Sequence, residues 1–200
     1  VSRDEILAPD LKQDLGGLLS SNTAALRLIH EAARLPKNHF PMDWSDANIN
    51  RLPYPTTLFR IGQLASLAHA EVLWHSDANN PDGAVESIVA SFGLAHALAT
   101  EYYLDAHWSR LRCLDMTCAS LERLLTQHAL GESELRRLLE LTAQAQQEPD
   151  FTRLLAGQRA MDVAPLYLPV ERFFQTAGPN LSPREANVFG LLLHLHRLTG

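Results

Sequence analysis

The apolar residues of this chain are mostly those that favour helices. Its 200 residues include 36 Leu and 25 Ala but only 7 Val and 5 Ile. Ala and Leu have high helix propensity, whereas β-branched residues are enriched in strands. This imbalance predicts an all-α protein and argues against any sheet larger than one short hairpin.

The spacing of the apolar residues predicts at least five helices. Positions three and four apart share one face of a helix. No composition shift marks a boundary, so we predict one all-helical domain over 1–200, arranged as antiparallel hairpins in a TPR-like array or a helical bundle. The predicted helices cover 9–35 (weakened at Gly16-Gly17, with a second start at Ser21 or Asn22), 58–74, 84–100, 102–127, 133–148 (capped by Ser133), 150–164 and 182–198.

Three of these helices have faces that we can assign. Helices 58–74 and 84–100 should pack as an antiparallel pair that buries Ala65, Ala68, Val72, Ile88 and Phe92. In helix 102–127 the 3-4 spacing predicts a different buried stripe, made of Leu104, Trp108, Leu111, Cys118, Leu121 and Leu125.

Residues 36–57 form a proline-rich segment between two predicted helices. Four prolines and several Asn and Asp residues predict a long loop, and apolar anchors such as Trp44 predict that it is ordered. Asp43 and Asp46 flank Trp44 and suggest either a sugar or peptide pocket or an acid pair for hydrolysis. The favoured interpretation is an Asx-turn cover in which Trp44 packs on the helices.

Three more aromatic residues complete the set of candidate binding residues. Tyr102, Tyr103 and Trp108 would line a ligand groove if they faced one, although aromatic residues at helical spacing more often belong to the core. The candidate binding residues are therefore Asp43, Trp44, Asp46, Tyr102, Tyr103 and Trp108.

Nine histidines raise the question of a metal site. Glu71 and His75 are four residues apart, as are Glu101 and Asp105, so each pair would share a helix face. There is no His-Glu-x-x-His or Cys-x-x-Cys motif, and His194 and His196 point about 200° apart on a helix. We therefore expect neither a metal nor another cofactor.

The two cysteines carry no nucleophile motif. Cys113 and Cys118 lie about 140° apart around one predicted helix and cannot easily bond to each other. Buried, apolar-like thiols are favoured over a catalytic thiol.

Composition excludes several other classes of protein. With a net charge of −6, the chain has no excess of positive charge of the kind that binds nucleic acids. Its apolar content is too high for a disordered chain. The longest apolar run, 188–193, is too short to span a bilayer. Because the chain begins at Val1 and not at Met, we expect a piece of a longer protein, which leaves open both an upstream anchoring or targeting segment and the compartment.

Several short motifs resemble a known family. Small residues on helices 58–74 and 84–100 resemble TPR hairpins, although Ala70 and Ala84 are about two residues too far apart. A second set of short motifs lies between residues 22 and 162, namely Asn22-Thr23-Ala24-Ala25-Leu26, Phe40-Pro41-Met42-Asp43-Trp44, Leu64-Ala65, Asp82-Gly83-Ala84 and Gly157-Gln158-Arg159-Ala160. On these motifs the chain resembles an uncharacterised bacterial family of all-helical proteins, in which the last motif is often Gly-Glu-Arg-Ala. The resemblance implies helical hairpins, often with an N-terminal membrane anchor or signal, and no enzymatic activity.

Three functional hypotheses follow. The leading one is a non-enzymatic helical scaffold whose concave face binds a protein or peptide. The alternatives are a hydrolase-like enzyme or small-ligand binder that uses the 38–54 loop, and a structural domain of a membrane-tethered protein. A deep pocket with Asp43, Asp46 and a histidine would favour the enzyme, whereas a shallow apolar groove without perturbed titratable groups would favour the scaffold.

Overall fold

A computed structural model describes residues 6–35, 54–101, 104–146 and 151–163. Within these ranges the protein has seven α-helices and no strand, which confirms the all-α prediction. No helix in the described ranges is long and apolar enough to cross a bilayer. The helices are α1 (Pro9–Ser21), α2 (Thr23–Ala33), α3 (Tyr54–Asp77), α4 (Pro81–Ala97), α5 (Leu104–Gln127), α6 (Glu132–Ala145) and α7 (Phe151–Val163).

The core is a three-helix unit in which α3, α4 and α5 contact one another. Ile61 near the start of α3 shares a cluster with Ala95 near the end of α4. Val72 near the end of α3 packs with Val85 near the start of α4, so the two helices are antiparallel as predicted. All five residues predicted to be buried between them are buried, namely Ala65, Ala68, Val72, Ile88 and Phe92.

A tight turn joins α3 to α4. Asn79 has a left-handed backbone with φ of 54°, and its N–H donates to Ser76 O at 3.2 Å while the N–H of Asn80 donates to His75 O at 2.9 Å. This pair of bonds closes a helix end in the Schellman manner. Asn80 then caps α4 by accepting from the N–H of Gly83 at 3.2 Å. Helix α3 therefore runs to Asp77, three residues beyond its predicted end.

The second start in the N-terminal helical segment falls at Asn22, as predicted, although the side-chain amide of Asn22 donates to Leu18 O at 2.8 Å and does not cap α2. Two other boundaries differ from the predictions. The N-cap of α6 is Gly131, so Ser133 lies inside the helix instead of capping it. Residues 54–57, predicted to belong to the loop 36–57, are part of α3, and residues 36–53 lie outside the described residues.

The buried face of α5 is not the predicted one. Trp108 is 64% exposed and Leu125 is 48% exposed, whereas four small residues, two arginines and one leucine face the core. Thr117 and Ser120 tolerate burial because their hydroxyls donate to carbonyls of their own helix, Cys113 O at 2.7 Å and Met116 O at 2.9 Å. Small side chains also let α3 and α4 approach closely. The buried face comprises Ala106, Arg110, Cys113, Thr117, Ser120, Arg123 and Leu124.

The remaining helices surround this core. Helix α1 packs on α3, α2 packs on both α3 and α4, α6 packs on α4, and α7 packs on α5. Asp77 fastens the N-terminal segment, because it accepts from the N–H of Leu7 at 3.0 Å and from Lys12 Nζ at 2.6 Å. The hydrogen bond from Lys12 holds the pKa of Asp77 below its usual value. Arg137 of α6 pairs with Glu86 of α4.

Candidate functional site

An apolar groove lies between α2, α3 and α4. Its volume is about 380 Å³, and the side chains of the described residues that line it are all apolar. None of these described residues carries a titratable group, so they supply no acid, base or metal ligand. The lining residues are Ala25, Leu28, Ile29, Ala32 and Ala33 of α2, Ile61 and Leu64 of α3, and Gly93, Leu94 and Ala97 of α4.

Small residues shape this groove. At Gly93 helices α2 and α4 approach so closely that a Cβ atom there would stand 2.7 Å from the Cβ of Ala33. The short side chains of Ala25, Ala32 and Ala97 leave the space between the helices open. Leu28 stands at the rim and is 56% exposed. The groove is therefore lined by small residues and has a large apolar side chain at its edge.

A polar cluster beside the groove fixes the position of α2. His30 Nε2 donates to Glu71 Oε2 at 2.8 Å, and the hydroxyl of Ser87 lies 2.8 Å from the same oxygen. These residues belong to α2, α3 and α4, the three helices that line the groove. His30 directly follows the lining residue Ile29, so the cluster holds the α2 wall against the other two helices.

The His30–Glu71 pair shifts the pKa of both partners. The hydrogen bond to Glu71 raises the pKa of His30 despite burial, and the charge of Glu86 raises it further while that of Arg34 opposes it. Burial raises the pKa of Glu71, but the hydrogen bonds from His30 and Ser87 and the nearby histidine charges outweigh burial, so this pKa is lowered. Both shifts favour the charged pair.

The pair predicts a pH-dependent stability. The contribution of His30 is complete below its ordinary pKa of 6.5 and is lost as pH rises through the raised folded-state pKa. The contribution of Glu71 is present above 4.5 and is lost as pH falls through its lowered folded-state pKa. We expect His30→Gln to reduce the free energy of unfolding by about 1 kcal/mol at pH 5.5 and by less at pH 9.

Urea melts of both chains at several pH values measure this difference. The quantity of interest is the difference in free energy of unfolding between the two chains, because burial lowers the pKa of His69 and of His107 in both. These two histidines therefore make both chains less stable in acid. A difference between the two chains that stays constant from pH 5.5 to pH 9 would contradict the assigned role of His30.

Neither histidine–serine arrangement in the described ranges forms an accessible nucleophile. In the first cluster Glu71 lies between His30 and Ser87, so the histidine cannot take the serine proton. In the second, His69 Nδ1 lies 2.6 Å from Ser120 Oγ, but Ser120 is fully buried and its hydroxyl donates to Met116 O. Both arrangements therefore join helices and do not present a reactive hydroxyl.

Of the six predicted binding residues, the structure describes one. Asp43, Trp44, Asp46, Tyr102 and Tyr103 lie outside the described residues. Trp108 is exposed on α5 and does not line the groove, and it is not a core residue as aromatic residues at helical spacing usually are. Among the candidate binding residues, the structure therefore describes Trp108 alone.

The acidic and histidine pairs considered for metal binding have other surroundings. Glu71 contacts His30 and Ser87, and His75 Nδ1 lies 3.1 Å from the side-chain amide of Asn80. Glu101 is buried, whereas Asp105 is exposed. The described part of the chain contains no group of three or more His, Cys, Asp or Glu side chains that could hold a metal ion. His194 and His196 fall outside it.

The two cysteines differ in exposure. Cys113 is buried as predicted, and burial raises its pKa to about 11. Cys118 is exposed, so the prediction of burial is wrong for this residue. Its pKa is also raised, by partial burial and by the charges of Glu122 and Asp115. Neither environment stabilises a thiolate.

Sequence reasoning missed the groove face of α2. On the inner face of α2, Leu26 and Ile29 are buried. The apolar surface of α2 continues from there to Ala25, Leu28 and Ala32, which line the groove together with Ile29 and Ala33. A signal was present in the sequence, because a helix that packs on one side only would carry polar residues at these positions.

Comparison with known proteins gives no match. No protein-family model matches the chain, and neither the curated proteins nor the solved structures include a significant match. The likeness to a bacterial family of helical proteins therefore stays a prediction.

Proposed function

We propose that this protein is a non-enzymatic helical scaffold that binds an amphipathic helix of a protein or peptide in the groove between α2, α3 and α4. The observation that supports it is the composition of the groove, whose ten described lining residues are all apolar. A hydrolase site would bring an acid or a nucleophile to the groove, and these ten residues include neither.

The shape of the groove favours a helix over a small polar ligand. At about 380 Å³ it lies at the lower end of the range for ligand pockets, about 300–1,000 Å³. Small-molecule sites usually add a few polar groups that orient the ligand, and this lining has none in its side chains. Helix-in-groove recognition instead relies on apolar anchors spaced three and four residues apart.

A binding measurement with a matched control tests the proposal. The probe is a fluorescein-labelled synthetic amphipathic peptide with Leu at helical i, i+3, i+4 and i+7 spacing, followed by fluorescence anisotropy. Leu28→Asp places a charge at the rim of the groove and should raise the Kd at least about tenfold, a loss of about 1.4 kcal/mol. Leu139→Asp on α6 makes the same change at a 70% exposed leucine outside the groove and should leave the Kd unchanged.

The control also separates specific from general effects. Equal Kd values for Leu28→Asp, Leu139→Asp and the unaltered chain would contradict binding in this groove. Circular dichroism of both variants verifies that neither substitution has unfolded the helices.

A further inference from the structure

We propose that the outer face of α5 is a second docking site, which binds a basic amphipathic helix of a partner protein. This face lies opposite the core side of α5 and carries most of the stripe that apolar spacing predicts to be buried. It is separate from the groove, whose described lining residues belong to α2, α3 and α4. The inference therefore does not depend on the proposed function.

Six exposed residues on this face, the outer stripe, have the spacing of a coiled-coil seam. They follow one another at alternating steps of three and four residues. At 100° per residue they fall within an arc of about 100° and extend over about 26 Å of the helix. Such an alternation keeps a second helix in contact over several turns. The outer stripe consists of Trp108, Leu111, Asp115, Cys118, Glu122 and Leu125.

The large apolar side chains of α5 are concentrated in the outer stripe. The buried face of α5 includes one leucine, whereas the outer stripe includes two leucines and Trp108. A helix that contacts only its own core places its apolar residues inward, so this inversion indicates a second contact surface. Tryptophan is also enriched among the residues that dominate binding energy at interfaces. Trp108 is therefore the expected anchor at one end of the stripe.

Two carboxylates determine the kind of partner. Asp115 and Glu122 are seven residues apart and take the same heptad position. The apolar residues Leu111, Cys118 and Leu125 are also spaced by seven and take the other position. Covering a carboxylate with an apolar surface is costly unless an opposite charge meets it. A partner helix with Arg or Lys at the facing positions, and leucines between them, matches both sets of residues.

The same carboxylates argue against other occupants. A second copy of α5 would bring like charges or leucine against Asp115 and Glu122, and an anionic lipid surface would repel both. Partial burial and the charges of Glu122 and Asp115 raise the pKa of Cys118, so both carboxylates act on the middle of the stripe. Arg112 borders the stripe on its polar side and adds one positive charge beside the two negative ones.

The exposed thiol of Cys118 reports contact with the outer stripe in the unaltered chain. Its labelling by N-ethylmaleimide, followed by mass spectrometry, should be slowed several-fold by a synthetic three-heptad peptide in which Leu and Arg alternate along the apolar stripe. This alternation lets the Arg residues reach the carboxylates in either direction of binding. The matched control peptide carries Glu in place of Arg and should not slow the labelling. Buried Cys113 provides the reference for a protected thiol.

Fluorescence anisotropy with fluorescein-labelled forms of the two peptides measures the charge preference. The unaltered chain should bind the basic peptide at least about tenfold more tightly than the acidic one, because opposite charges replace like charges at two positions. Asp115→Asn with Glu122→Gln should reduce this ratio several-fold. The matched control, Asp10→Asn with Asp14→Asn on α1, removes the same charge from exposed positions elsewhere and should leave the ratio unchanged.

Several outcomes would overturn the inference. Labelling of Cys118 as slow as that of Cys113 in the free chain would mean that the outer stripe is covered within the molecule. Labelling that slows as the protein concentration rises would assign the stripe to a second copy. Protection by phosphatidylcholine vesicles but not by the basic peptide would assign it to a membrane surface. Equal affinities for the two peptides, or the same ratio in both neutralised variants, would contradict recognition of the carboxylates.

A groove variant distinguishes this site from the groove. Leu28→Asp should leave the Kd of the basic peptide unchanged, because Leu28 lies on α2 and lines the groove. Loss of basic-peptide binding in this variant would place the peptide in the groove and would overturn the inference while supporting the proposed function.

Discussion

Phe92→Ala should lower the free energy of unfolding by about 3–5 kcal/mol. Phe92 is only 4% exposed and lies where four helices meet, in one cluster with Val72 of α3, Leu124 of α5 and Leu138 of α6. Removing the ring leaves a cavity that rigid helices on several sides cannot collapse to fill. Guanidinium melts followed by circular dichroism measure the change.

A second phenylalanine provides the control for this result. Phe59 belongs to another core helix, α3, but is 67% exposed, so Phe59→Ala should change the free energy of unfolding by no more than about 0.5 kcal/mol. A loss below about 1 kcal/mol for Phe92→Ala would show that the buried face of α4 is assigned wrongly.

Two glycine substitutions should change stability in opposite directions. A Cβ atom at Gly93 would stand 2.7 Å from the Cβ and 2.9 Å from the Cα of Ala33, so α2 must shift its backbone. We expect Gly93→Ala to lower the free energy of unfolding by about 1–3 kcal/mol. At Gly62 a Cβ atom meets nothing within 4 Å, and Gly62→Ala should raise the same quantity by about 0.4–1 kcal/mol.

The two substitutions are comparable because each adds one methyl group in the interior of a helix. Opposite signs of the change in free energy of unfolding would therefore reflect the surroundings of the two glycines. Thermal and denaturant melts of the two variants in the same buffer measure it. Stabilisation by both substitutions would mean that α2 does not pack closely against α4, and it would remove one wall of the groove.

The α3–α4 pair was predictable because its signals are local. Each helix carries one continuous stripe of apolar residues, and a short turn determines which helix is the neighbour. Apolar spacing predicts the end of α3 three residues too early. The helix continues to a turn in which Asn79 has a left-handed backbone, and apolar spacing does not reveal that turn.

Helix α5 shows where apolar spacing misleads. Trp108, Leu111 and Leu125 have the correct period for a buried stripe, yet all three are exposed. Thr117 and Ser120 are buried because intrahelical hydrogen bonds satisfy their hydroxyls. Apolar spacing treats hydroxyl residues as surface residues, so it identified the helix but not its core face.

The groove could not be predicted because its walls are far apart in sequence. Ala33, Ile61 and Gly93 become neighbours through tertiary packing, and no local sequence motif indicates that they will be close. Sequence patterns instead favoured the aromatic and acidic residues around Trp44 as binding residues, and these residues lie outside the described ranges.

The position of α2 has a consequence for synthesis of the chain. Its inner residues, Leu26 and Ile29, pack on α3 and on Ala90 of α4, which the ribosome adds later. At about 5–20 residues per second, the 64 residues between Ala33 and Ala97 take roughly 3–13 s to synthesise. Until α4 has been synthesised, α2 lacks one of its two core partners, so part of its apolar face stays exposed to solvent and to chaperones during synthesis.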